Sequence, residues 1–123
     1  MKFERDSTEG RNTFTGYGEG YVAVNGMRHT ASLVVGGDRV ITDWPAASVD
    51  EISADHLAAI IALKPEIVLL GSGKAFRFPD AARLAPLYKA GIGVEVMDTP
   101  AACRTYNILL GEGRNVIAAL IVD

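Results

Sequence analysis

Val94-Glu95-Val96-Met97-Asp98-Thr99-Pro100-Ala101-Ala102-Cys103-Arg104-Thr105-Tyr106-Asn107-Ile108-Leu109-Leu110 decides the fold of this chain, together with Gly111-Glu112-Gly113-Arg114 and the apolar run over 116–122. It reads as strand, sharp turn, helix, glycine-flanked turn, strand. Threonine is a preferred N-cap and proline a preferred first helical residue, so Thr99 and Pro100 are expected to open a helix that runs to about Leu110. Ala102, Tyr106, Leu109 and Leu110 fall on its core-facing stripe, while Arg104 and Asn107 share another face.

The same alternation recurs upstream. Residues 55–64 predict a helix with Leu57, Ile60 and Ile61 at i, i+3, i+4, ended by Pro65. Ser53 is one candidate cap; Ser48, with Glu51 three residues on, is another. Ile67-Val68-Leu69-Leu70 is an uninterrupted apolar run, the pattern of a strand covered on both faces. A second helix is expected within 79–90, with Leu84, Leu87 and Tyr88 inward, Pro86 kinking or shortening it, and Gly91 as its stop. Residues 93–97 then form a second core strand. Helix, strand, helix, strand, helix, strand from residue 55 implies an α/β layer arrangement with helices on the sheet faces.

Earlier residues carry strand signals. Tyr21-Val22-Ala23-Val24 and the run beginning at Met27 flank Asn25-Gly26, whose two residues suit the positive φ angles of a type I′ hairpin turn. Residues 27–35 are long for one strand; Gly36-Gly37-Asp38 makes a second turn before 39–43. The first third is expected to be a β-meander, closed by Trp44-Pro45 because proline donates nothing to a ladder. Residues 1–13 are polar and without period, a loose lead-in to a single domain over 14–123.

Composition excludes several classes. With 123 residues, 49% hydrophobic and 22% charged, the chain has the profile of a one-domain globular protein. A net charge of -3 argues against a nucleic-acid partner. The start Met1-Lys2-Phe3-Glu4-Arg5-Asp6 lacks the basic-then-apolar order of a secretory signal, and no run approaches the ~20 apolar residues of a membrane span. Cys103, the single cysteine, allows no intrachain disulfide and fits a reducing compartment. The expectation is a soluble cytoplasmic protein without membrane insertion.

If strands 67–70 and 94–97 are parallel, Gly71-Ser72-Gly73-Lys74 and Asp98-Thr99 converge outside their carboxyl ends, where open α/β sheets keep ligand crevices. The start of the third helix, with Cys103 and Arg104, opens from that edge and would favour an anion. Gly71, Ser72, Gly73, Lys74, Asp98, Thr99, Cys103 and Arg104 are therefore the candidate ligand-binding residues.

Each has a plainer reading. The glycine loop is neither a Walker loop nor a dinucleotide fingerprint, whose third glycine is replaced by Phe76, and a tight turn is sufficient use for it. Cys103 is either a helix-activated thiol or a small buried hydrophobe. No histidine lies near it in sequence; His29 falls in a strand and His56 in the first helix, without metal-ligand spacing. Asp98 and Arg104 read as a structural ion pair or a catalytic one. Trp44 is a partly covered edge residue or a partner anchor. No complete catalytic constellation, metal site or cofactor motif emerges.

The segment from Met97 through Asp98-Thr99-Pro100-Ala101-Ala102-Cys103-Arg104-Thr105-Tyr106-Asn107 to Leu120, with Glu66-Ile67-Val68-Leu69-Leu70-Gly71-Ser72-Gly73 and the 21–45 region, resembles a widespread family of small α/β proteins of unknown function. That family includes the mitochondrial NADH dehydrogenase (complex I) assembly factor 3. The resemblance implies one three-layer α/β domain with a mixed central sheet flanked by helices and an extra N-terminal β-meander. It implies no established enzymatic activity; no cofactor is expected. It implies partners among the protein subunits or assembly factors of a membrane complex. A monomer or homodimer is expected, and, since the chain departs from the mitochondrial relative in having no targeting presequence, a cytoplasmic location.

Overall fold

The computed structural model describes residues 10–123. Two sheets divide the strands between them. A three-stranded antiparallel meander holds β1 (Phe14–Gly18), β2 (Tyr21–Val24) and β3 (Met27–His29) in that order. The main sheet has five strands, β4 (Leu33–Gly36), β5 (Arg39–Ile41), β6 (Ile67–Gly71), β7 (Gly93–Met97) and β8 (Val116–Leu120), ordered β5-β4-β8-β6-β7. Parallel pairing joins β6 to both β7 and β8, whereas β4 runs antiparallel to β5 and β8. The mixed sheet follows from connection length: a tight turn joins β4 to β5, while helical crossovers separate β6, β7 and β8.

Helices α1 (Ala54–Ile61) and α2 (Ala85–Lys89) cover one face; α3 (Thr99–Gly111) and the meander cover the other. Strand alternation assigns the side chains. Val68, Leu70, Ile117 and Ala119 join Leu57, Ile60, Leu84 and Leu87 on the first face. Leu69, Ala118 and Leu120 join Ala102, Cys103, Tyr106 and Leu110 on the second. All five residues of β8 are buried, which explains why its sequence is apolar at every position.

Several local expectations are revised. The run 27–35 is split, because β3 ends the meander and β4 enters the other sheet; the β4–β5 hairpin is no part of the meander. Pro86 does not kink a helix. It lies in the first turn of α2, where its missing N–H is no loss, after a separate 3-10 turn, Ala81–Leu84. Tyr88, expected inward, is 51% exposed because that short helix turns it to solvent. The first helix stops at Ile61.

Ser53 caps α1: its hydroxyl accepts from the His56 N–H at 3.3 Å while His56 Nδ1 accepts from the Ser53 N–H at 3.0 Å. Trp44 is an internal brace rather than an edge residue. It is 3% exposed, donates from Nε1 to the His56 carbonyl at 3.1 Å, and sits edge-on to the imidazole.

The lead-in expectation over 1–9 lies outside the described residues. Asn12 and Thr13 are docked, not loose. Asn12 donates to the carbonyls of Gly36 and Gly37, and its own carbonyl accepts from the Tyr106 hydroxyl at 2.8 Å. Tyr106 also meets Phe14 edge to face. Asn107, on α3, treats β1 as a neighbouring strand would: it accepts from the Phe14 N–H at 3.0 Å and donates to the Phe14 carbonyl at 2.8 Å.

Replacing Asn107 with alanine leaves both Phe14 backbone groups without that partner and is expected to cost roughly 1–3 kcal/mol in urea unfolding. Amide hydrogen exchange should accelerate first at β1 while β6 and β8 keep their protection. Unchanged exchange at Phe14 would show that the meander is held by packing alone.

Candidate functional site

The parallel register aligns Gly71 with Met97 on one side and Leu120 on the other, so three strands end at one edge. The segments leaving them, Ser72-Gly73-Lys74, Asp98-Thr99 and Ile121-Val122-Asp123, meet there. Sequence reasoning had placed the first two together correctly; the third, and Asp123 with it, it did not bring to the edge.

Thr99 sits at the centre, 5% exposed. Its Oγ1 accepts from the Gly73 N–H at 2.9 Å and donates to the Ile121 carbonyl at 2.6 Å, and its own N–H donates to the Gly73 carbonyl at 2.8 Å. One side chain thus joins all three segments. Thr99 is not the N-cap. Asp98 holds that position, its carboxylate accepting from the Ala101 N–H at 2.8 Å, because a carboxylate both caps and complements the positive helix end. Pro100 follows in the first turn.

The glycine loop closes on the same chain. The Ser72 N–H donates to the Met97 carbonyl at 2.8 Å, and its buried hydroxyl donates to the Ala75 carbonyl and accepts from the Arg77 N–H. The Lys74 N–H donates to the Asp123 carboxylate at 2.9 Å. Glycine is required by space at position 71, where a Cβ would fall 2.8 Å from Thr99 Oγ1 and 3.1 Å from its Cα. At position 73 it is required by φ +106, with Asp123 against it. Every backbone N–H from Ser72 to Lys74, and those of Thr99, Ala101 and Ala102 in α3, therefore has an acceptor within the chain. The cleft beside them, lined by Tyr17, Tyr21, Lys74, Pro100 and Asp123 among others, has a volume of about 30 Å³, room for one or two waters.

Cys103 and Arg104 diverge from this edge. Cys103 is 1% exposed in the core under α3, and burial pushes its thiol up to about 12. Arg104 turns to the meander, donating to the Tyr17 hydroxyl at 2.8 Å with its guanidinium 5.7 Å from that ring's centre. Asp98 and Arg104 thus have separate partners, the helix end for one and Tyr17 for the other. Among the described residues, the direct ion pairs are Arg77–Asp50 and Arg114–Glu66. No three His, Cys, Asp or Glu residues among them cluster as metal ligands. No described helix is long and apolar enough to cross a membrane. Beyond the crevice, Phe76 and Phe78 stand 60% and 59% exposed on the loop that Ser72 pins.

Thr99→Val keeps the shape but strands the Gly73 N–H and the Ile121 carbonyl, and should cost roughly 2–5 kcal/mol by denaturant unfolding. Thr99→Ser keeps the hydroxyl and should cost about 1 kcal/mol for the lost methyl group. Equal losses would show that the hydroxyl is not what joins the segments.

Alkaline pH supplies a second test. Burial pushes Cys103 from 9.0 and Tyr106 from 10.0 up to about 12 each. Between those limits the unfolded chain has released protons that the folded chain retains, so stability falls as pH rises from about 9 toward 12 and is unaffected by these groups below. The urea midpoint should drop across that window, and less steeply in Tyr106→Phe. At pH 8 the folded chain should react with iodoacetamide on the order of 1000-fold more slowly than an ordinary thiol; labelling at the rate of glutathione would overturn that placement.

The chain belongs to the family described as "Protein of unknown function (DUF498/DUF598)", which it matches over residues 14–121. It is similar to a protein of Francisella tularensis named "13 kDa major membrane protein", 29% identical over 122 residues, covering 98% of this chain and 99% of that one. It is 33% identical over 122 residues to "NADH dehydrogenase [ubiquinone] 1 alpha subcomplex assembly factor 3" of Xenopus tropicalis, covering 98% of this chain and 66% of the relative. The chain thus spans just under two thirds of that relative's length. A crystal structure of a Bordetella parapertussis protein superposes with a TM-score of 0.85 at 39% identity, covering 92% of this chain and 97% of that one. The α/β fold with its five-stranded mixed sheet and meander is the fold of that structure.

Proposed function

We propose that this chain acts by binding proteins, holding subunits or assembly factors of a membrane complex, rather than by turning over a substrate. The observation that carries the reading is the closed crevice. Where an open α/β sheet keeps its ligand, the loop and helix N–H groups are spent on Met97, Thr99, Asp98 and Asp123, and the space left is about 30 Å³. The printed name of the Xenopus tropicalis relative supports the direction of the inference. The net charge of -3 supports a protein rather than a nucleic-acid partner. The reading places the chain in the cytoplasm, as a monomer or homodimer without cofactor.

A second reading keeps Gly71, Ser72, Gly73, Lys74, Asp98 and Thr99 as an anion site, without Cys103 and Arg104, which leave the edge for the core and for Tyr17, and one observation favours it. The loop already holds a carboxylate, since Asp123 accepts from the Lys74 N–H. A small anion displacing Asp123 would meet that N–H and the exposed Lys74. Phosphate, nucleotide or carboxylate titration should then move the amide signals of Ser72, Gly73 and Lys74; none moving would end this reading.

For the leading proposal, the tagged chain is purified from gently solubilised native membranes and from cytosol. Near-stoichiometric recovery of subunits or assembly factors of one membrane complex is the expected result. Recovery of the chain alone, or turnover by the pure protein that Arg104→Ala abolishes, would overturn it.

A further inference from the structure

Among the described residues, nothing pairs with one edge of the main sheet. Strand order makes β7 terminal, next to β6 only. The bonds at its two ends set its parity: the Gly93 N–H donates to the Glu66 carbonyl at 3.2 Å, and the Met97 carbonyl accepts from Ser72 at 2.8 Å. Residues 93, 95 and 97 therefore hydrogen-bond toward β6, and the N–H and C=O groups of Val94 and Val96 point away from it. No described residue pairs with those four groups. The opposite edge strand, β5, is three residues long against five in β7.

Charge marks the centre of the open edge. Val94 and Val96 pack their side chains on the core under α1 and α2, while Glu95 between them is exposed and bonds to no described residue. An antiparallel two-fold pair that uses all four free groups sets Glu95 directly opposite its own copy, a like-charge contact that disfavours self-pairing. The same carboxylate favours a lysine or arginine at that position.

We infer that the β7 edge is a strand-addition site for an extended segment of a partner protein carrying a basic residue opposite Glu95. The inference rests on the protein-binding reading above and names its surface. The four backbone groups supply the affinity, because only an extended polypeptide offers matching donors and acceptors at strand spacing. Glu95 supplies the selectivity.

The test uses the full chain, isotope-labelled, and two blocked heptapeptides, Ser-Thr-Val-Lys-Val-Thr-Ser and the same sequence with Glu in place of Lys. At millimolar concentration the lysine peptide should shift the Val94 and Val96 amides and slow their exchange, binding roughly tenfold more tightly than the glutamate peptide. Glu95→Lys should invert that order. Val96→Pro deletes an outward N–H and leaves the ladder to β6 whole, whereas Val96→Ala removes the same core packing but keeps the N–H; the proline variant should lose the lysine peptide while the alanine variant, with a similarly lowered unfolding midpoint, keeps it. No shift at Val94 and Val96 with either peptide, or equal binding of both, would overturn the site and leave Glu95 as a guard against self-association. Partners that copurify with the wild type and equally with Val96→Pro would overturn the β7 site while the protein-binding reading stands.

Discussion

The Thr99 hydroxyl is the joint on which the carboxyl edge of the main sheet depends. It accepts from the Gly73 N–H and donates to the Ile121 carbonyl, so the segments leaving β6, β7 and β8 are bound through one oxygen. The requirement for glycine at 71 follows, since a Cβ there would stand 2.8 Å from the Thr99 hydroxyl oxygen, which its two hydrogen bonds hold in place. So does the narrowness of the crevice: the backbone N–H groups of Ser72, Gly73 and Lys74 are all bonded to the neighbouring segments.

The second face depends on α3 in a different manner. Tyr106, Asn107 and Arg104 each reach the N-terminal segment, at Asn12, Phe14 and Tyr17. Three residues of one helix thus hold the meander and the segment before it by hydroxyl, amide and guanidinium, over an apolar seat of Phe14, Val22 and Val24. The meander has three short strands, and α3 covers its apolar face as a second layer.

What could be read from the sequence divides along the same line. Apolar periodicity depends on local geometry, and it placed β6, β7, α3 and β8, the parallel pairing and the convergence of the glycine loop with Asp98-Thr99. Capping was legible in type but not in register: Asp98 and Thr99 are both good caps, and only the contact with Ile121 decides that threonine faces inward. Arg104 and Asn107 were seen to share a face, but their partners lie 87 and 93 residues away, beyond any local pattern. Trp44 was misjudged for the same reason, since its burial depends on the carbonyl of His56. Met27 to Val35 showed no break because β3 and β4 belong to different sheets, a division made by topology rather than composition.

Strand order also sets the sequence of events during synthesis. β8 lies between β4 and β6, yet among the described strands it comes last in the chain. Until residues 116–120 have left the ribosome, the β4–β5 hairpin and the β6–β7 pair have no strand in common, and each exposes an apolar edge. β8 then closes the sheet antiparallel to one half and parallel to the other. A chain stalled before Val116 is left with two unpaired edges facing one gap, the condition in which strands recruit foreign partners or a chaperone.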